Sequence, residues 1–251
     1  MCVAYLFLVY DKLHPIWKLW FPRNDQQNIY VHSKYQLVND TIQLNQIDKI
    51  ETQWGHISIV HAMLSLLKNA IINENVTHFV FLSGNCIPIF NYYETSNKIL
   101  SMKKSSLHLF HKRNKKGVHT AFMDHFIRHS QWCILIRNDV KIILSECYTH
   151  LFKSVSIPDE NYFGTLLNYY NISFNNTVTT FVNWYKKVKK INGKSPHTYK
   201  YITDDIIHNV LITNANTLFI RKVEHNLELQ YIHTYNTLGN TPTTHTVTFS
   251  K

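Results

Sequence analysis

Two adjacent acids, Asp159 and Glu160, sit in the string Ser156-Ile-Pro-Asp-Glu-Asn-Tyr-Phe, at the start of what the spacing predicts to be a helix over 158–170. A carboxylate on the first turn of a helix that points off a sheet edge stays ionised near neutral pH, as a general base must. The competing account is local. Ser156, with an acid three residues on, resembles a capping box, and acids favour helix N-termini in any case. Capping explains Asp159 better than Glu160, so Glu160 is the candidate base. A second pair, Arg221 and Lys222, follows an expected strand over 217–220. Fixed cations in a water-poor site stabilise charge developing on a phosphate, although simple solvation of a strand end would also account for them. No Asp-x-Asp triplet occurs in the chain. Chemistry that discharges a diphosphate would therefore rest here on Lys or Arg, not on a divalent ion held by that motif.

Other chemistries lack their signatures. The chain has 16 histidines, and neither His108 with His111 nor His125 with His129 is part of an HExxH or Cys/His grid. No metal site is expected. The GxSxG elbow, the Walker pattern and GxGxxG are also missing. The four cysteines, Cys2, Cys86, Cys133 and Cys147, form no CxxC and no paired framework, so free thiols in a reducing compartment are expected.

Elements that could position these residues follow from the hydrophobic pattern. Val3 to Tyr10 is an apolar run that reads as a buried strand, followed by a short strand over 28–32. Ile57, Val60, Leu64, Leu67 and Ile71 recur at helical spacing after Gly55, and Thr77 to Leu82 is a strand broken by Ser83-Gly84-Asn85. This is a strand–helix–strand crossover, the unit of a mostly parallel sheet with helices on both faces, and ligands of such sheets bind at the strands' carboxyl ends. Further strands are expected over 105–110, 133–137, 178–184 and 217–221, with helices over 139–151 and 204–211. The chain reads as one α/β domain over 1–235, with a Thr-rich tail over 236–251.

At 251 residues, with 45% hydrophobic and 17% charged residues, the chain can bury a large core, which excludes wholesale disorder. The formal charge of +10 attracts anions, whether nucleic acid, acidic membrane or a nucleotide diphosphate. Its densest basic runs, 112–116 and 186–190, read as solvated faces. No recognisable nucleic-acid module is present, so a nucleic-acid partner is not expected. No window of 18 apolar residues and no basic leader precede or follow the first strand, so neither a signal peptide nor a membrane span is expected, and a cytoplasmic location is.

Five segments line up in order with one family. Trp54-Gly55-His56-Ile57-Ser58-Ile59-Val60-His61-Ala62, running through Leu66-Leu67, resembles the family's "WG..S.V.A...LL..A" helix. Phe79 to Pro88 resembles its "F.LLS..C.PL" strand and loop, and Ser130-Gln131-Trp132 through Arg137 its "GSQWF.L.R" segment. Pro158 to Phe163 resembles "PDE.YF.T", and Asn183-Trp184, Ser195-Pro196 and Leu218 to Lys222 resemble "W…HP…LFARKF". The family is the core-2/I-branching β-1,6-N-acetylglucosaminyltransferases, with plant-type and viral members the most similar. The resemblance covers about residues 3 to 225.

The resemblance implies a GT-A-like fold and an inverting, metal-independent glycosyltransferase without a cofactor. It would use a UDP-sugar donor, UDP-GlcNAc by the family name, and a glycan or protein acceptor. Glu160 maps to the family's base and Lys222 to its diphosphate contact. Arg221 beside it and Lys200 some twenty residues earlier would complete the donor cations. Trp184 matches an acceptor-lining tryptophan, and Tyr185, Asp159 and Trp132 are grouped with it on the acceptor side. The family's animal members carry an acid in an early "IHVD" strand, where this chain has Val31-His32-Ser33, so His32 and Ser33 are the expected nucleotide contacts. A carbohydrate- or nucleotide-sugar-binding pseudoenzyme is the first alternative, and a basic nucleic-acid-binding protein, which the net charge and aromatic content would suit, the second. The Asn/Ile/Lys-rich composition fits an AT-rich genome such as that of a large DNA virus, in which case the location would be the host cytoplasm.

Overall fold

A computed structural model describes residues 1–38, 42–110, 115–184 and 195–225. Tyr185, most of the two basic runs and the tail over 236–251 lie outside the described residues. Four strands, β1 (Cys2–Val9), β2 (Ile29–Ser33), β3 (Asn45–Gln46) and β4 (Val76–Ser83), run parallel. The two-residue strand β5 (Ile87–Pro88) belongs to a second sheet, and β6 (Ile134–Ile136) joins the first sheet antiparallel to β4, giving the order β3-β2-β1-β4-β6. Strands β7 (Thr180–Val182) and β8 (Phe219–Arg221) complete the smaller sheet, ordered β5-β8-β7, in which β7 and β8 are parallel.

Period-two alternation divides the core into two layers. Val3, Tyr5, Phe7 and Val9 of β1, with Val80 and Leu82 of β4, face a cluster holding Trp17 of α1 (Ile16–Trp20), Ile99 of α3 (Tyr92–Leu100), Val210 of α6 (Asp204–Thr213) and Phe219 of β8. Ala4 and Leu6, with Phe79 and Phe81, face the opposite cluster. There they meet Val60, Met63 and Leu67 of α2 (Ser58–Ala70), Ile143 of α4 (Arg137–Ser145) and Phe163 of α5 (Tyr162–Tyr169). Helices therefore cover both faces of a mostly parallel sheet, the α/β, GT-A-like architecture expected from the sequence.

Three elements differ from expectation, each for a local reason. Residues 105–110 form only bridges, at Ser106 and Leu109. The Trp132 N–H, which a continued ladder would send to the His108 carbonyl, donates instead to Ser130 Oγ at 3.3 Å, and the Ser130 N–H takes that carbonyl. The expected helix 139–151 starts earlier, at Arg137, and ends at Ser145, before a 3₁₀ turn over Thr149–Phe152. Arg137 sits at the helix start because its guanidinium donates to the carbonyls of Ile71, Asn73 and Val76 between α2 and β4. The expected helix 158–170 splits into a 3₁₀ turn, Pro158–Glu160, and α5. Asn161 breaks it, at φ −136, by turning its amide back onto the carbonyls of Ser156 and Ile157. Ser156 caps nothing: Ile157, at φ 54, occupies the cap position, with no side-chain cap bond.

Candidate active site

The parallel strands end together. Val9 pairs with Ser33 and Leu8 with Ser83, so the loops after β1, β2 and β4 leave from one edge. Because β6 runs antiparallel to β4, the segment preceding it, Arg128 to Trp132, arrives at that same edge. The smaller sheet adds the end of β8, where Arg221 Nε donates to Ser83 Oγ at 3.0 Å. Topology thus gathers residues from 83, 128–132, 160 and 221 at the carboxyl edge, where α/β sheets bind ligands.

Glu160 stands on the 3₁₀ turn, its backbone carbonyl held by the His129 N–H at 2.7 Å. Its carboxylate accepts from Arg128 through Nη2 at 2.7 Å and Nε at 3.1 Å, both on Oε2. Oε1 carries neither contact. Glu160's side chain is 20% exposed, so one oxygen is anchored while the group still reaches solvent. The Arg128 guanidinium in turn lies 5.4 Å from the Phe110 ring centroid.

Arg221 is the opposite charge of this edge. Its guanidinium lies 4.6 Å from the Trp132 ring centroid. Burial lowers its pKa, and Cys86, Tyr10 and Glu160 are near enough to favour its charged form. It makes no ion pair among the described residues. A desolvated cation without an ion-pair partner is suited to receiving an anion. Lys222 is also partly buried, its pKa lowered by desolvation and then by Arg221. Tyr199 pairs with Val223, which brings the exposed Lys200 beside the chain that follows Lys222. Trp184, 51% exposed, follows β7 at the same end of the smaller sheet.

Other expected site residues face inward. Asp159 is 5% exposed, its Oδ1 has no hydrogen-bond partner among the described residues, and burial followed by repulsion from Glu160 raises its carboxyl to about 7. Trp132 is buried beneath Arg221. His32 is buried, its Nε2 set against the backbone N–H and C=O of Ile50 at 3.1 Å. Ser33 Oγ lies 3.0 Å from the Tyr10 carbonyl and 2.6 Å from that of Tyr35. Arg128 was not expected from the sequence, whereas Ser83 lies in the 83–88 loop that the strand pattern marks as a candidate wall of the site. Arg128 stands two residues before the Ser130-Gln131-Trp132 motif, but nothing in its spacing points 32 residues ahead to Glu160. Among the described residues no three His, Cys, Asp or Glu side chains gather as a metal-ligand set. All four cysteines are free, and no described helix is long and apolar enough to cross a membrane.

The wall behind Glu160 is tightly packed. A Cβ placed on Gly164 of α5 would stand 2.7 Å from Cδ2 of the fully buried His129. Gly164→Ala is therefore expected to destabilise the protein by about 1–3 kcal/mol, the usual cost of overpacking, and to lower activity by shifting the His129 segment that holds Glu160. Urea denaturation and steady-state rates check both effects.

Proton linkage gives a second test. Burial lowers His129 and His14 to about 4 and also lowers His32, His61, His78 and His225. Between pH 4 and 6.5 the unfolded chain protonates histidines that the folded chain keeps neutral, so stability falls as pH drops. Asp159 and Asp139, raised in the folded state, work the other way, since there the folded chain holds the extra proton. With six histidines against two acids, the midpoint of thermal unfolding is expected to be lower at pH 5 than at pH 7. Asp159→Asn should steepen that loss, since each proton is worth about 1.4 kcal/mol per pH unit.

Glycosyltransferase BC10 of rice (Oryza sativa subsp. japonica) is 28% identical over 165 residues, covering 57% of this chain and 40% of that protein. The chain therefore matches less than half of that relative's length. The model of the Core-2/I-Branching enzyme family matches residues 3–213, a span that carries Glu160, Arg128, Trp132 and the parallel sheet, and this chain belongs to that family.

Proposed function

We propose that the protein is an inverting glycosyltransferase that moves a sugar, GlcNAc from UDP-GlcNAc by its family's name, onto an acceptor hydroxyl without a metal ion. The observation that carries this is the pairing, on one sheet edge, of a half-anchored carboxylate with an Arg221 cation that makes no ion pair among the described residues and feels the Glu160 charge. Glu160 Oε1 takes the proton from the acceptor hydroxyl as that oxygen forms its bond to the anomeric carbon. The bond from the anomeric carbon to the diphosphate breaks on the opposite face, and the departing negative charge falls to Arg221 and Lys222. Arg128 keeps Oε2 in place, and Trp132 keeps the Arg221 plane in place. Membership of the family and the printed name of the rice relative support glycosyl transfer as the reaction class.

The test is transfer or donor hydrolysis with UDP-GlcNAc in excess EDTA. Undiminished turnover is the expected result. Turnover that disappears in chelator and returns with manganese would contradict the metal-free mechanism. Sugar binding without turnover across a panel of donors and acceptors would favour the pseudoenzyme.

A further inference from the structure

Arg221 and Lys222 lie where β8 runs out, so the chain beyond them must be held if the two cations are to stay at the sheet edge. Backbone bonds tie it on two sides. The Tyr199 N–H donates to the Lys222 carbonyl at 2.7 Å, and the Glu224 N–H to that of Tyr199 at 2.9 Å. Val223 donates to the Asn85 carbonyl at 3.0 Å and accepts from the Asn85 amide at 3.2 Å. A third tie comes from the other end of the sequence, where His14 Nε2 lies 3.1 Å from the Glu224 carbonyl, 210 residues away in the chain.

The bonds of the His14 ring fix its tautomer. The Ile16 N–H reaches Nδ1 at 3.2 Å and can only donate, so Nδ1 carries no proton and Nε2 donates to Glu224. The ring is 1% exposed. Burial, followed by the stacked His225 ring 6.0 Å away, lowers its pKa to about 4, so it stays neutral and the bond stays made at neutral pH. The backbone N–H of His14 donates to the Gly84 carbonyl at 3.0 Å, and a Cβ on Gly84 would strike the Lys12 carbonyl. One residue therefore joins the loop after β1, the loop after β4 and the exit of β8, the segments that surround Arg221 and Ser83.

We propose that His14 is a positioning residue for the donor diphosphate, holding the exit of β8 through Glu224 so that Arg221 and Lys222 stand ready for the phosphates. The inference rests on the nucleotide-sugar donor proposed above. His14 touches no substrate atom in this role. Losing its bond lets the strand end leave its place part of the time, and apparent affinity falls by the fraction of time it is in place. A saturating donor draws the end back, so the loss is one of binding and not of chemistry.

Two substitutions separate the bonds of the ring. His14→Asn keeps an acceptor near Nδ1 for Ile16 but loses the reach to Glu224, whereas His14→Gln keeps a donor near Nε2. Calorimetry with UDP and with inorganic pyrophosphate, and steady-state rates with UDP-GlcNAc, compare them with wild type. His14→Asn is expected to weaken both ligands by the same factor, roughly three- to tenfold, the scale of one hydrogen bond. Its donor KM should rise as much while kcat stays close to wild type, and His14→Gln should recover most of the loss. A His14→Asn variant that binds either ligand as wild type does, a His14→Gln variant as weak as His14→Asn, or a fall in kcat at unchanged KM would overturn the positioning role. So would wild-type protein that binds UDP but not pyrophosphate. If His14→Asn does not fold, hydrogen exchange in wild type decides: UDP should slow the Val223 and Glu224 amides, and unchanged rates would overturn the tie. Wild-type protein that binds neither ligand would instead overturn the nucleotide-sugar donor itself.

Discussion

Glu160→Gln is expected to lower turnover by about 10²- to 10⁴-fold, the usual contribution of a general base, while leaving UDP affinity unchanged. The split follows from the geometry. Gln has the shape of Glu and a carbonyl oxygen that can still accept from Arg128, but it cannot take a proton at neutral pH. Arg128 donates twice to Oε2 alone, so the oxygen lost to catalysis is the one no arginine nitrogen holds. Arg128→Ala should behave differently. The carboxylate keeps its chemistry but loses its anchor, so turnover should fall by less, and Arg128→Lys should restore part of it. Equal losses in Glu160→Gln and Arg128→Ala would make the ion pair a structural brace and not a held base.

Arg221→Met is expected to weaken UDP binding and turnover by about 10²- to 10³-fold, the scale for removing one fixed donor from a developing anion. Its second readout is stability. Arg221 has a neutral hydroxyl, Ser83, and an aromatic face, Trp132, but no ion-pair partner among the described residues, and burial already disfavours its charge. A guanidinium retained for folding alone should be costly to replace. One retained for a phosphate should not be, because Met fills similar volume and relieves the desolvation. Thermal unfolding of Arg221→Met should therefore occur at or above the wild-type temperature. Arg221→Lys should recover little, since an ammonium cannot lie flat on Trp132 while donating from Nε. A variant that unfolds early yet binds UDP fully would assign Arg221 to the fold.

Where one periodicity dominated, the sequence was legible. The apolar run of β1, buried on both faces, and the heptad-like spacing of α2 produced the crossover that defines the sheet. Glu160 could be singled out because the adjacent acid offered a capping explanation it did not need. That explanation failed for Asp159 as well, which the fold buries with one oxygen unpartnered. Side chains bonding to the backbone were the main source of error. Ser130 took a ladder donor from Trp132 and the Asn161 amide turned back onto two carbonyls, and neither choice leaves a mark on hydrophobic spacing. Long-range pairings were equally silent. The clamp from Arg128 to Glu160, the bond from Arg221 to Ser83 across 138 residues, and the Tyr10–Tyr35 stack exist only once the strand order has brought their edges together.

A crystal structure of the protein with UDP bound tests the central claim most directly. Phosphate oxygens are expected within about 3 Å of the Arg221 guanidinium or the Lys222 ammonium, with the Glu160 carboxylate facing the space beyond the β-phosphate. A diphosphate resting on a divalent ion held by carboxylates, or bound away from both cations with Glu160 turned aside, would contradict it.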